Sequence, residues 1–129
     1  MSGYSGTPLP QKLGIKAGNR VSLVAAPADF QLELPASAAR VTSGMVDVIV
    51  AFFTSRTAFE GKLPSLRTRM KPACGLWIAW PKKASGVATD MNEDLIRAAA
   101  LRTDLVDNKV CAIDEIWSGL RLVIRVSAR

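Results

Sequence analysis

Residues 75–83, Gly-Leu-Trp-Ile-Ala-Trp-Pro-Lys-Lys, form a short apolar run that ends abruptly in charge. Aromatic and β-branched side chains between a glycine and a proline are typical of a buried strand. Pro81 has no N–H for a strand ladder, so we expect the strand to stop there. In open α/β folds the carboxyl edge of such a strand is where ligands bind. The run therefore predicts both the centre of a sheet and a place for a site.

Other strands are predicted on both sides of this run. Residues 20–26 predict the first strand, and residues 38–42 favour a weak edge strand. Residues 46–53 are nearly continuous in apolar character, as expected of a strand covered on both faces. Residues 109–116 and 119–126 predict an antiparallel hairpin joined through residues 117–119, because the last run alternates clearly between apolar and polar residues.

Helices are predicted between the strands. A short helix is expected before Gly14, and a helical turn over residues 27–34. Thr54-Ser55 can cap a helix after the second strong strand, and Gly61 and Pro64 predict that this helix divides into two pieces. Asp90 and Glu93 have the spacing of a capping box at the start of a later helix.

This order predicts a single α/β domain over residues 1–129, with residues 1–6 expected to be mobile. We expect three layers around a mixed, mostly parallel sheet of five to six strands, with the antiparallel hairpin at the C-terminus, in a truncated Rossmann-like arrangement. The N-terminal residues lack the basic flank and apolar middle of a signal peptide, and no run is long enough to span a membrane. We therefore expect a cytoplasmic protein that does not enter membranes.

The amino-acid composition limits the kinds of catalytic and metal site that the chain can form. The chain has no histidine, which excludes Ser-His-Asp and Cys-His catalysis and removes the commonest metal ligand and general base. Its two cysteines, Cys74 and Cys111, make no metal-ligand spacing, and both adjoin strands, so we expect buried free thiols. With no glycine-rich nucleotide motif either, the sequence favours a protein that is not an enzyme and has no metal or cofactor.

The net charge of +6 is unevenly distributed. The segment 56–83 contains only one acidic residue, Glu60, and is the most basic part of the chain. Its basic residues are Arg56, Lys62, Arg67, Arg69, Lys71, Lys82 and Lys83. Such a segment can attract phosphates or nucleic acid, whereas an acidic stretch over residues 90–115 makes self-association through unlike faces an alternative.

The predicted order of elements resembles the C-terminal half of a class I methyltransferase. The resemblance is one of topology, because the first strand is followed by Ala25-Ala26-Pro27-Ala28-Asp29 and not by a glycine-rich turn. No acidic residue ends a clear second strand, where it would hold a ribose. The resemblance therefore implies the sheet of that fold without bound S-adenosylmethionine.

The chain also resembles a family of small bacterial proteins known as a domain of unknown function. The resemblance is carried by Trp-Pro-Lys-Lys-Ala-Ser-Gly-Val-Ala-Thr-Asp at residues 80–90 and by Lys-Val-Cys-Ala-Ile-Asp-Glu-Ile-Trp-Ser-Gly-Leu-Arg-Leu-Val at residues 109–123. Shorter matches lie at residues 3–9 and 12–15. Membership in that family implies no particular activity.

Candidate site residues are predicted from the parallel arrangement, because strands that point the same way end at one edge. The candidates for a ligand site at that edge are Thr54, Ser55, Arg56, Lys82, Lys83, Ser85, Asp114 and Trp117. Three cations, hydroxyl groups and a helix N-terminus could hold an anion. The alternatives are that the lysines are simply solvated and that Trp117 covers the open end of the sheet.

Three functions remain open on these residues. The favoured one is a small binding or regulatory module whose edge pocket takes an anionic small molecule or an acidic protein partner. The second is a small enzyme that uses Lys82 or Lys83 with Asp114 or Glu115. The third is a nucleic-acid-associated protein acting through the basic segment 56–83, which we favour less because few aromatic residues are left to stack on bases. A homo-oligomer is compatible with each.

Overall fold

A six-stranded sheet lies at the centre of the computed structural model, which describes residues 7–129. The order across the sheet is β2-β1-β3-β4-β6-β5. The first four strands are mutually parallel, and β6 is antiparallel to both of its neighbours. The strands are β1 (Arg20–Val24), β2 (Ala39–Arg40), β3 (Val46–Phe52), β4 (Met70–Pro81), β5 (Leu105–Ala112) and β6 (Trp117–Ile124). The mixed, mostly parallel sheet with a C-terminal antiparallel hairpin is confirmed.

The two central strands, β3 and β4, lie in the middle of the sheet because their sequences are nearly continuously apolar. Six of the seven residues of β3 are buried, and in β4 every residue from Cys74 to Pro81 is buried. Such strands must be covered on both faces. β4 ends at Pro81 as predicted, but it begins at Met70, before the apolar run, because its first residues continue directly from the preceding helix.

Within residues 7–129, three α-helices accompany the sheet: α1 (Leu9–Lys12), α2 (Arg56–Thr68) and α3 (Glu93–Leu101). The prediction that α2 divides into two pieces is wrong, because Pro64 lies on its exposed side, where the freed carbonyl can face water. Ser55 caps α2 as predicted, its Oγ accepting from the N–H of Ala58 at 3.2 Å.

Two other local predictions are corrected. α3 is capped by Asn92, whose side chain accepts from the N–H of Leu95 at 2.8 Å, because Asp90 accepts from the N–H of Arg56 instead. No helix forms over residues 27–34, where a single turn closes by the bond from Phe30 N–H to the Pro27 carbonyl.

The terminal hairpin is displaced from its predicted position. Its turn is residues 113–116, earlier than expected, because Oδ1 of Asp114 accepts from the N–H groups of both Ile116 and Trp117 at 2.8 Å. A side chain that satisfies two backbone donors holds a turn, so Asp114 and Glu115 lie in the turn and not in a strand. Asp107 belongs to β5, at an irregularity in the register of that strand.

The two faces of the sheet are covered differently. The helical face, beneath α2 and α3, buries side chains of these helices against alternate residues of β3, β4 and β6, among them Ile49, Ile78 and Leu122. The irregular face is covered by residues of α1 and of segment 25–38, which has no helix and packs on Val50 and Trp77. Trp77 and Trp80 are buried on opposite faces, as a spacing of three residues within one strand requires.

No helix in the described part of the chain is long and apolar enough to cross a membrane. The expectation that residues 1–6 are mobile concerns residues outside the described part.

Candidate functional site

The parallel pairing of β3 with β4 places the ends of both strands at one edge of the sheet. Phe52 pairs with Ala79, so the residues after each strand emerge together. Pro81 in turn pairs with Trp117 at the start of β6. The sequence-predicted site residues all come after or before strand ends at this carboxyl edge: Thr54, Ser55, Arg56, Lys82, Lys83, Ser85, Asp114 and Trp117.

A cavity of 510 Å³ opens at this edge, and we name it the edge cavity. It lies between α1, the segment after β1, the segment after β4 and the hairpin turn. Its lining consists of Leu9, Pro27, Asp29, Phe30, Gln31, Val87, Ile113, Asp114, Ile116 and Trp117. Of the sequence-predicted residues, Asp114 and Trp117 belong to this lining.

A row of three aromatic rings stands beside the edge cavity. The ring of Phe52, at the end of β3, lies 4.9 Å from that of Phe30 and 5.1 Å from that of Trp117, both edge to face. These distances lie within the ~4.5–7 Å typical of aromatic pairs. Trp117 therefore closes the end of the irregular face and also presents part of its half-buried ring to the cavity.

Asp114 has a structural role that the sequence did not reveal. Its two bonds to backbone N–H groups set the direction of the hairpin turn and hence the position of Trp117. The other cavity carboxylate, Asp29, is exposed on the segment after β1. The sequence places that segment at the edge because β1 is parallel, but it offered no signal that Phe30 folds back onto Phe52.

The other predicted residues lie at the same edge, outside the cavity lining. Thr54 and Ser85 stabilise local backbone: the Thr54 carbonyl accepts from the hydroxyl of Thr89 at 2.6 Å, and Ser85 Oγ donates to the Lys82 carbonyl at 2.6 Å. Arg56 pairs with Glu60 at 3.3 Å.

Lys82 and Lys83 are the cations that remain available at this edge. Lys82 is partly buried, and its backbone N–H donates to the Ile116 carbonyl at 2.7 Å, while Lys83 is exposed. Neither side chain forms an ion pair with a carboxylate among residues 7–129. The edge cavity itself is lined by two carboxylates and by no lysine or arginine.

Three of the seven basic residues in segment 56–83, namely Arg56, Arg67 and Lys71, form ion pairs within the fold. Arg67 forms two bonds of 2.8 Å with the carboxylate of Asp104, which raises the pKa of Arg67 and lowers that of Asp104. Lys71 lies 3.2 Å from Asp47. These pairs reduce the free positive charge that the sequence suggested for nucleic-acid binding.

Both cysteines are free, as predicted. Cys74 is fully buried on the helical face, and desolvation raises the pKa of its thiol to about 12. Cys111 is only partly buried, on the irregular face, and burial raises its pKa as well. A high pKa removes the thiolate that a nucleophile or metal ligand needs. No group of cysteine and carboxylate side chains suited to a metal occurs in the described part of the chain.

Known proteins were compared with this chain at three levels. No family model and no curated protein matches it. Several solved structures do. A ribosomal protein L11 methylase from Lactobacillus delbrueckii subsp. bulgaricus aligns with a TM-score of 0.57 at 10% identity, over 91% of this chain and 75% of the methylase. The fold is methyltransferase-like.

Two further structures have the same fold. A putative methyltransferase from Thermoplasma acidophilum aligns with a TM-score of 0.53 at 6% identity, over 91% of this chain and 75% of that one. The tRNA methyltransferase TrmK of B. subtilis aligns with a TM-score of 0.54 at 8% identity, over 95% of this chain and 68% of that one. At such low identities the likeness concerns the fold alone, and the resemblance to a small bacterial family stays an expectation.

The segment after β1 does not fit a nucleoside cofactor such as S-adenosylmethionine. Such cofactors use a glycine-rich turn and the N–H groups that open the next helix. Here no helix comes after β1, and residues 25–38 contain no glycine. Ala25 adopts a positive φ of 56° although it carries a methyl side chain, which a glycine would lack. The short β2 ends at Arg40, where an acid would be needed for a ribose.

Proposed function

We propose that this chain is a small non-catalytic binding module on a methyltransferase-like sheet, and that its ligand occupies the edge cavity. The observation that supports this most is a cavity of 510 Å³ at the carboxyl edge, a size within the ~300–1,000 Å³ range of small-molecule sites. Its location is the one that open α/β sheets generally use for ligands.

The lining defines the class of ligand. Apolar side chains and the ring of Trp117 favour a flat apolar body, and the carboxylates of Asp29 and Asp114 favour a cationic or hydrogen-bond-donating group. One oxygen of Asp114 is committed to the backbone, so Asp29 is the freer partner. We therefore propose an aromatic amine in place of the anion expected from the sequence.

Two molecules with the same ring and opposite charge test this proposal: tryptamine and indole-3-propionate. We expect tryptamine to raise the melting temperature and to shift NMR signals of the edge cavity, and indole-3-propionate to have a smaller effect. Asp29→Asn should weaken tryptamine binding about fivefold, which corresponds to the ~1 kcal/mol of an ion pair at an exposed carboxylate.

Glu33→Gln is the matched control, because Glu33 is exposed in the same segment and lies outside the edge cavity. It should leave tryptamine binding unchanged. Stronger binding of indole-3-propionate, or an equal loss in both variants, would contradict the proposed ligand class.

The alternative function is a small enzyme of the methyltransferase type, with Lys82 or Lys83 and Asp114 or Glu115 as its polar groups. The observation that favours it is the methyltransferase-like fold over nine tenths of the chain. Calorimetry with S-adenosylmethionine separates the two functions. Binding with a Kd in the micromolar range, lost in a Lys82→Ala, Lys83→Ala double variant, would favour the enzyme, whereas our proposal expects no such binding.

A further inference from the structure

A second cavity, of 390 Å³, lies beside β1 on the helical face, and we name it the β1 groove. It is bounded by the C-terminal half of α2 and by the chain that leaves β1 and β2. Its polar lining consists of Ser22, Thr42, Lys62, Ser65 and Arg69. The β1 groove lies on the opposite face of the sheet from the aromatic residues of the edge cavity, so a site in the groove is independent of the proposed function.

Arg69 is held firmly in this groove. Its Nε donates to the Gly44 carbonyl at 3.1 Å, and its Nη1 donates to Ser22 Oγ at 2.9 Å. Two bonds to different elements fix the plane of the guanidinium group. The side chain is therefore pre-organised before any ligand arrives, which lowers the entropic cost of binding.

The third nitrogen of this guanidinium has no partner. Nη2 of Arg69 is buried and makes no hydrogen bond, and among residues 7–129 it is the one buried side-chain nitrogen or oxygen in that condition. Buried polar groups are almost always paired, and a charged donor left unpaired is especially costly. The positive charge of the Arg69 guanidinium is therefore only partly balanced by hydrogen bonds within the fold.

The charges around Arg69 favour an anionic acceptor. No carboxylate within the described residues forms an ion pair with Arg69, and the lining of the β1 groove contains no acidic residue. Lys62 is exposed on α2, about two turns before Arg69, and adds a second positive charge. The exposed hydroxyl of Thr42 can donate a further hydrogen bond.

We infer that the β1 groove binds a tetrahedral oxyanion of the phosphate class, with the Arg69 guanidinium as the central cation and Lys62 and Thr42 at the rim. Guanidinium groups match the oxygens of phosphate well. The volume of 390 Å³ exceeds what a bare phosphate fills and leaves room for an organic group beside Val24 and Leu66. A phosphate monoester of a small molecule is the occupant that uses both parts of the groove.

Titrations with inorganic phosphate and with phenyl phosphate test the inference on the wild-type chain at constant ionic strength. We expect phosphate to bind with a Kd of about 1 mM or tighter, and phenyl phosphate to bind about tenfold more tightly. NMR shifts should centre on the Arg69 side chain and the backbone of residues 62–69. Equal affinity for the two compounds would identify free phosphate as the occupant and would still support the site.

Arg69→Gln removes the unpaired nitrogen and should weaken phosphate binding at least ~tenfold. The matched control is Arg67→Gln, because Arg67 lies on the same helix, is paired with Asp104 and does not line the β1 groove. It should bind phosphate as the wild type does.

Lys62→Ala provides a second test if Arg69→Gln does not fold, because Lys62 is exposed and makes no ion pair with described residues. It should weaken binding about threefold, as expected for a rim charge. No phosphate response above that of chloride, or a response that neither Arg69→Gln nor Lys62→Ala reduces, would overturn the inference.

Discussion

The helical and irregular faces of the sheet are both buried, but by different kinds of structure. On the helical face, α2 and α3 bury regularly spaced side chains, with Phe59, Leu63 and Leu66 on α2. On the irregular face, a four-residue helix and the coil of residues 25–38 cover the same strands. A helix covers a strand with side chains at a fixed period, whereas coil covers it only where individual residues such as Phe30 fold inward.

The two cavities lie where helical cover is absent or ends. The edge cavity lies beneath coil at the carboxyl edge, and the β1 groove lies where α2 passes the last strand that it can cover. The regular packing of α2 and α3 on the sheet therefore stabilises the fold, and these two cavities lie where that packing is interrupted. Substitutions of buried side chains should then cost more on the helical face than on the irregular face.

Phe59→Ala should be the most destabilising change. Phe59 is fully buried on the helical face, and its ring lies 5.6 Å from that of Phe53. Removal of a buried aromatic ring costs about 3–5 kcal/mol of unfolding free energy. Urea denaturation measures the loss. Thr57→Ala, exposed on the same helix, should stay within about 0.5 kcal/mol of wild type, and an equal loss in both variants would contradict the packing of α2.

Cys74 should make stability depend on alkaline pH. Burial raises the pKa of its thiol from 9.0 to about 12, so the folded chain keeps the proton while the unfolded chain loses it. This contribution to stability is complete below pH 9 and is lost as the pH rises towards 12, by at most ~1.4 kcal/mol per pH unit.

Comparison with Cys74→Ala isolates this effect from the titration of lysines and tyrosine. The wild type should lose more unfolding free energy between about pH 9 and pH 11 than the variant does. Identical slopes would show that Cys74 is accessible. In native protein near pH 8, a thiol reagent should label Cys111, which is half-buried, before Cys74.

Gly119→Ala tests how closely the irregular face is packed. A Cβ at this position would lie 2.8 Å from Cδ1 of Ile113 and 3.0 Å from Cε3 of Trp77. Both neighbouring side chains are fully buried and cannot move aside into solvent. We therefore expect the substitution to lower the free energy of unfolding by about 1–3 kcal/mol. Thermal and urea unfolding measure it. An unchanged free energy of unfolding would show that the hairpin turn and the coil packed on it can shift to accommodate the added methyl group.

Gly61→Ala should have the smallest effect and the opposite sign. Gly61 lies within α2, and a Cβ there would meet no atom within 4 Å. Alanine restricts the unfolded chain and favours the helix, so we expect a gain of about 0.5–1 kcal/mol. The same urea titration measures this gain, and a loss would indicate that α2 is bent at this point.

Much of the sheet could be predicted from sequence because its strongest signals are local. Continuous apolar runs identify β3 and the core of β4, Pro81 ends β4, and the connection through α2 makes β3 and β4 point the same way. That reasoning was enough to place the candidate residues at one edge. The sequence was a weaker guide to turns and helix caps. Several polar residues near each other can accept from the same backbone N–H groups, and the pattern alone does not show that Asp114 and Asn92 are the ones that do.

The sequence by itself thus determined the class of fold, the central strands and the edge at which a site should lie. The tertiary structure alone decided the chemistry of both cavities. It paired Arg67 with Asp104 and Lys71 with Asp47, and it left Nη2 of Arg69 buried without an acceptor. The physical reason is that secondary structure is set by neighbours in the chain, whereas the satisfaction of a charge depends on groups that folding brings from distant positions.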